Sequence, residues 1–179
     1  LGASVSTSSA NTQIDGITEA YIDGGSLNAV GNAITVQATS KSNADPQIDG
    51  LSGGLVAISS MTSRGTIAGE TRTWAGGDTT VNANKLTLGA TDETTADPKT
   101  VVAGGGAFAI SATDSVIDIT RLTETKIRSG ANLAIGSGAL VVQATSNTDG
   151  TSTAKSTSGS AIDIAALVVD TEVDNETVA

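Results

Sequence analysis

The sequence predicts an all-β protein: a parallel β-solenoid (β-helix) built from internal repeats of about 52–54 residues. Three observations predict it. The heptad ITVQATS at residues 34–40 returns as LTLGATD at 86–92 and as LVVQATS at 140–146, offsets of 52 and 54 residues. Other landmarks keep that spacing: GLVAIS at 54–59 answers GAFAIS at 106–111, and both prolines sit in Ala-Asp-Pro, at Pro46 and Pro98. Within each heptad, apolar and polar residues alternate with period 2, which is the pattern of a half-buried strand.

The copies are expected at residues 1–52, 53–104, 105–158 and 159–179, about three and a half repeats of a single segment. The chain opens at Leu1 without an initiator Met or a signal-peptide pattern, and reads as a piece of something longer. In the heptad strand, one face carries Ile34/Leu86/Leu140, Val36/Leu88/Val142 and Ala38/Ala90/Ala144. That face is expected inside, stacked as ladders about 4.8 Å apart. Thr39, Thr91 and Thr145 fall on the opposite, outer face.

A second strand class follows the GLVAIS motif. Its expected inward set is Val56, Ile58 and Ser60, then Phe108, Ile110 and Ala112, then Ile162, Ile164 and Ala166. Ala57 and Ala109 alternate with these, so this strand is expected to be covered on both faces. The first copy places Ser4, Ser6 and Ser8 at the inward positions and breaks the pattern, through fraying, a one-residue shift or a missing cap. Each repeat is expected to supply two coils of about 26 residues, with one wide coil as the alternative.

Composition narrows the function classes. The chain has 179 residues, a formal charge of −10, no Cys and no His, and one each of Trp, Tyr and Phe. Such acidity makes a phosphate-tracking groove, and hence nucleic acid, a poor expectation. No run approaches the roughly 18–20 apolar residues of a membrane helix, so membrane insertion is not expected. Without His or Cys there is no Ser-His-Asp or Cys-His catalytic arrangement. Asp15, Asp118 and Asp163 are isolated in sequence, so a carboxylate pair acting on polysaccharide is the weaker reading, and no enzyme is expected.

No catalytic, cofactor-binding or metal-ligating residue is assigned. Calcium is the one cofactor entertained, because Asp45 and Asp97 recur at one period and Asp174, Asn175 and Glu176 cluster near the end. No Asp-x-Asp-x-Asp-Gly loop accompanies them, and Asp-Pro reads first as a turn initiator. The glycines at 104–106 and at 136 and 138 do not open a helix and read as turns. Thr71/Thr73 and Thr123/Thr125 lie 52 apart, as an ice-binding array would, but pairing Trp74 with Ile127 needs 53 and would flip the face. They are therefore expected to be ordinary exposed strand threonines, and Trp74 a turn or core plug.

The block AYIDGGSLNA at 20–29 followed by ITVQATS, and TETKIRSGANL at 123–133 followed by LVVQATS, resembles a recurrent unit of giant bacterial surface proteins. These are the leukotoxin-like filamentous adhesins and large repetitive exoproteins. The middle copy departs, with Thr73-Trp74-Ala75-Gly76-Gly77 replacing the Tyr-Ile pair. The resemblance implies a secreted, elongated, extracellular β-solenoid of the cell surface, used for adhesion or as a structural filament, and implies no catalytic residue; self-assembly is expected from strand edges left exposed at both ends. The expected function is thus a structural or adhesive segment of an extracellular bacterial fibre, a stiff β-rod with stackable ends. Its expected partners are further copies or neighbouring repeats of the same protein, and host-cell or matrix glycans. A carbohydrate- or ice-binding β-solenoid is the alternative.

Overall fold

The computed structural model describes residues 2–179 and is all-β, with no helix among them. Eleven strands follow one another: β1 (Ala3–Asp23), β2 (Ser26–Ala44), β3 (Gln47–Gly53), β4 (Val56–Gly76), β5 (Thr80–Ala96), β6 (Lys99–Gly105), β7 (Phe108–Ile127), β8 (Asn132–Ile135), β9 (Leu140–Gly150), β10 (Thr153–Ser158) and β11 (Ile162–Val178). They form three parallel sheets. The first has the order β1-β4-β7-β11, and the third β3-β6-β10. In the second, β2 pairs β5, and β5 pairs both β8 and β9. No sheet closes on itself; each keeps an unpaired edge at either end.

Every strand pairs with the strand one sequence repeat away. Ala3 lies opposite Val56, Val56 opposite Phe108, and Phe108 opposite Ile162. Among the described residues no strand pair is about 26 residues apart, so the two-coil expectation is corrected. The reason is visible in the strand lengths: 21, 19 and 7 residues in the first copy cannot be halved into two alike coils.

The alternation of offsets between 52 and 54 has a local cause. Ala29 pairs Ala83 and Ala33 pairs Lys85, so β2 bulges by two residues around Val30, Gly31 and Asn32. The third copy carries an equivalent excess between Ile135 and Leu140, opposite Ala83 and Leu86. Copies one and three share a bulge that copy two lacks. A further residue is absorbed at the preceding turn, where the buried Thr79 hydroxyl accepts the Gly24 N–H at 2.8 Å. The Asp-Pro dipeptides sit at the turns leading to β3 and β6. There Lys99 N–H donates to the Pro46 carbonyl at 2.9 Å, stacking one turn on the next.

The heptad strand faces as its alternation predicts in the first two copies; in the third, Leu140 is 45% exposed, because β9 pairs β5 on one side and has no strand of the sheet beyond it. Leu86, Leu88 and Ala90 are buried, with Val81, Ala83 and Ala75 in the same cluster and Ile34, Val36 and Ile22 packed on it. Leu86 and Leu88 each contribute about 1.5–3 kcal/mol by burial. Thr39 and Thr145 are exposed and Thr91 partly so. A second cluster joins Ala44, Ile67, Ala96, Ile117 and Ile119, with Ile14 against it.

The GLVAIS strand faces the other way from expectation. Ala57, Ser59 and Met61 are buried, as are Ala109, Ser111 and Thr113, whereas Ile58, Phe108 and Ile110 are 38%, 48% and 42% exposed. The strand is not covered on both faces. The cause is the narrow space where the first and third sheets converge. A Cβ added at Gly104 would already lie 3.5 Å from the Ala109 Cβ and 3.7 Å from Ser52 Oγ, so only small side chains fit. Met61 enters because Gly50 opposite it has no side chain.

This reversal also explains the first copy. Ser4 pairs Ala57, Ser6 pairs Ser59 and Val5 pairs Ile58, at an offset of 53. Its serines belong with the small inward residues and Val5 with the outer apolar ones, which is the one-residue shift. A test follows directly. Phe108→Ser is expected to cost about 2 kcal/mol in urea unfolding of the monomer, since half of the ring is covered, where an enclosed Phe would cost about 3–5 kcal/mol.

Candidate functional site

The sequence assigns no site residues, so the groups able to do chemistry are followed to where the fold puts them. The most concentrated polar group lies inside. Arg121 comes from β7 and Asp92 from β5; both side chains are essentially fully buried, and Arg121 Nη2 lies 2.5 Å from Asp92 Oδ1. The same guanidinium donates to the Ala68 carbonyl at 2.9 Å, to Ser40 Oγ at 3.0 Å and to Thr71 Oγ1 at 3.1 Å. Thr94 Oγ1 donates to the second Asp92 oxygen at 2.8 Å. The first three copies thus each contribute a member to this cluster. It clamps the first sheet to the second, and it fixes pairing of charges inside a low-dielectric interior.

The sequence contains a signal for this pair that the reading by motif misses. Extending the heptad alternation two positions past Ala38 and Ala90 places Ser40 and Asp92 on the inner face. A carboxylate there demands a cation, and Arg121, two residues before Thr123, lies on the inner face of its own strand.

The paired threonines are also inside. Thr71, Thr73, Thr123 and Thr125 are fully buried, because β4 and β7 pair Ala75 with Ile127 and Trp74 with Lys126 at a constant 52, with no face flip. Their expected exposure is corrected. Thr73 Oγ1 donates to the Gly89 carbonyl at 2.6 Å and Thr125 Oγ1 to the Gln143 carbonyl at 2.8 Å, bonding the first sheet to the second. A companion network at the narrow side links Thr100 Oγ1 to Ser63 Oγ at 2.7 Å and Ser152 Oγ to Ser115 Oγ at 2.8 Å. Hydroxyls therefore do inside this protein what aromatic rings do in others: they bridge sheets across a thin interior.

Trp74 is buried, though from the outside. Its ring stacks on Tyr21 at 4.7 Å between centroids, and the Arg128 guanidinium lies 3.9 Å over it. Both ring faces are therefore occupied, one by an aromatic and one by a cation. The column does not plug the core or a turn; it braces three successive copies on the outer surface. Beside it, Arg72 stands between Glu19 at 3.8 Å and Glu124 at 3.9 Å, with Glu70 also paired to it, and Lys126 lies 2.6 Å from Glu124.

The carboxylates singled out in sequence do not converge. Asp15 pairs Ala68 in register, Asp163 pairs Ala109, and Asp118 lies between Thr66 and Glu172. Asp45 accepts from Asn43 Nδ2 at 2.8 Å, a local turn contact. Among the described residues no group of three His, Cys, Asp or Glu side chains is placed to hold a metal ion. Asp174 and Glu176 line an open hollow of about 250 Å³ with Glu70, Thr120 and Arg121. Asn175 points the other way, its amide bonded to Thr148 Oγ1.

No family model matches the chain, and neither does any curated protein or solved structure.

Proposed function

We infer that the chain is a parallel β-solenoid segment whose work is mechanical: a structural or adhesive piece of an extracellular bacterial fibre. The observation that carries this reading is the register. Strand after strand pairs with its counterpart one repeat on, in all three sheets, and the outermost strands keep open edges at both ends. Open edges of this length template further pairing. The exposed surface, 8963 Å², supports it too. A compact monomer of 17.5 kDa exposes about 7,900 Å², so the segment carries surface suited to being covered. Stiffness would come from ladder hydrogen bonds and from the inter-sheet clamps of Arg121 and the buried threonines.

Electron microscopy of the native material and of the purified segment tests the reading. Elongated particles are expected, with an axial repeat that is a whole number of strand spacings of about 4.8 Å. Compact particles in both samples would overturn it.

A further inference from the structure

The outer face of the first sheet carries an apolar patch that the interior does not account for; Val5, Ile162 and Ile164 lie on the edge strands β1 and β11, but Ile58, Phe108 and Ile110 lie on the inner strands β4 and β7 and are still 38% to 48% exposed. Val5, Ile58, Ile110 and Ile164 fall in one register column across all four strands. Phe108 and Ile162 continue the neighbouring column above Val56. These six large side chains are 38% to 70% exposed. Thr7, Ser60, Ala112 and Ala166 form the next column and flank them, and Ala3 ends the column of Val56. No charged side chain stands in these columns, although the chain as a whole carries −10.

We propose that this patch is a lateral interface for a second copy of the same chain, packed sheet face against sheet face. Area is the first argument. At roughly 150–200 Å² for a fully exposed large apolar side chain, the six exposed fractions amount to about 500 Å². A standard interface covers about 800 Å² per partner, some 56–65% of it apolar, so the patch supplies the apolar share of one such interface. The largest apolar patch on a monomer is typically about 300–600 Å² and is often functional, and this patch falls in that range.

Spacing and charge argue for the second copy in particular. The columns repeat at the strand spacing of about 4.8 Å, so a face of equal pitch can set its ridges between them at every level. Another copy of this sheet offers that pitch. Two chains of −10 repel elsewhere, and the charge-free columns are where they can approach with no like charges opposed. The interface is distinct from end-to-end growth, since it uses side chains on a sheet face and leaves the strand edges free.

Sedimentation equilibrium of the whole chain over a rising concentration series is the test. A species of twice 17.5 kDa is expected, and the double variant Ile58→Lys, Ile110→Lys is expected to remain monomeric with an unchanged far-ultraviolet circular dichroism spectrum. The chain has no cysteine, so single substitutions report proximity cleanly. Ala112→Cys, beside the patch, is expected to cross-link through a short bismaleimide, and Thr95→Cys, on the outer face of β5, is not. A parent that stays monomeric, or equal cross-linking at both positions, overturns the proposal. Association that survives the lysines and grows beyond two copies also overturns it, while leaving the fibre reading standing. A patch-dependent dimer without elongated particles does the reverse.

Discussion

Arg121→Ala is expected to destabilise the chain by about 3–5 kcal/mol, because it strands the Asp92 carboxylate in the interior without its cation. Asp92 is fully buried, and its other partners are the hydroxyls of Thr71 and Thr94. Neutral donors offset only part of the cost of a buried charge. The pair's net worth is a different quantity. Combining Arg121→Met with Asp92→Ala removes both charges, and most of the lost stability is expected to return. Urea unfolding of the parent, Arg121→Met, Asp92→Ala and the double variant closes the cycle, and a coupling energy above about 2 kcal/mol is expected. If the double variant were as unstable as Arg121→Ala, the pair would not be the clamp between sheets described above.

Gly69→Val is expected to cost about 3 kcal/mol or more, from two causes that act together. The backbone at Gly69 has φ near 115°, a conformation that a β-branched residue adopts only under strain. A Cβ there would also overlap the backbone of Gly16 on the paired strand, its carbonyl oxygen first, and backbone cannot swing aside as a side chain can. The cost should fall locally on the β1–β4 ladder, so amide exchange is expected to rise there before global unfolding. Gly105→Ala is the control. A Cβ at Gly105 meets nothing within 4 Å, and its stability is expected to change by no more than about 0.5 kcal/mol.

The strand character, the period and the inner face of the heptad strand were all legible in the sequence. Ile34, Val36, Leu86 and Leu88 are large and apolar on one side, and Thr35, Gln37, Thr87 and Gly89 are polar or small on the other, so alternation alone settles their face. The GLVAIS strand offered no such contrast. Val56 and Ile58 alternate with Ala57 and Ser59, and size suggested the wrong side. What reversed the face was the distance to the third sheet, which admits Ala109 and Ser111 but not Phe108. A pairing that shifts by one residue in the first copy hid the agreement of Val5 with Ile58.

The candidate surfaces divide in the same way. The Asp-Pro turns and the Thr-x-Thr recurrence could be seen in the chain, but whether those threonines faced water or a neighbouring carbonyl depended on a constant register through Trp74. The Tyr21–Trp74–Arg128 column joins residues 53 and 54 positions apart, which no local window connects. By itself the sequence determined a repeating, helix-free β architecture, because periodicity is a property of the chain alone. The tertiary structure decided how many strands make a repeat, which face of β4 and β7 is inside, and which charges meet. Those depend on distances between sheets, and the sheets approach one another only when the chain has folded.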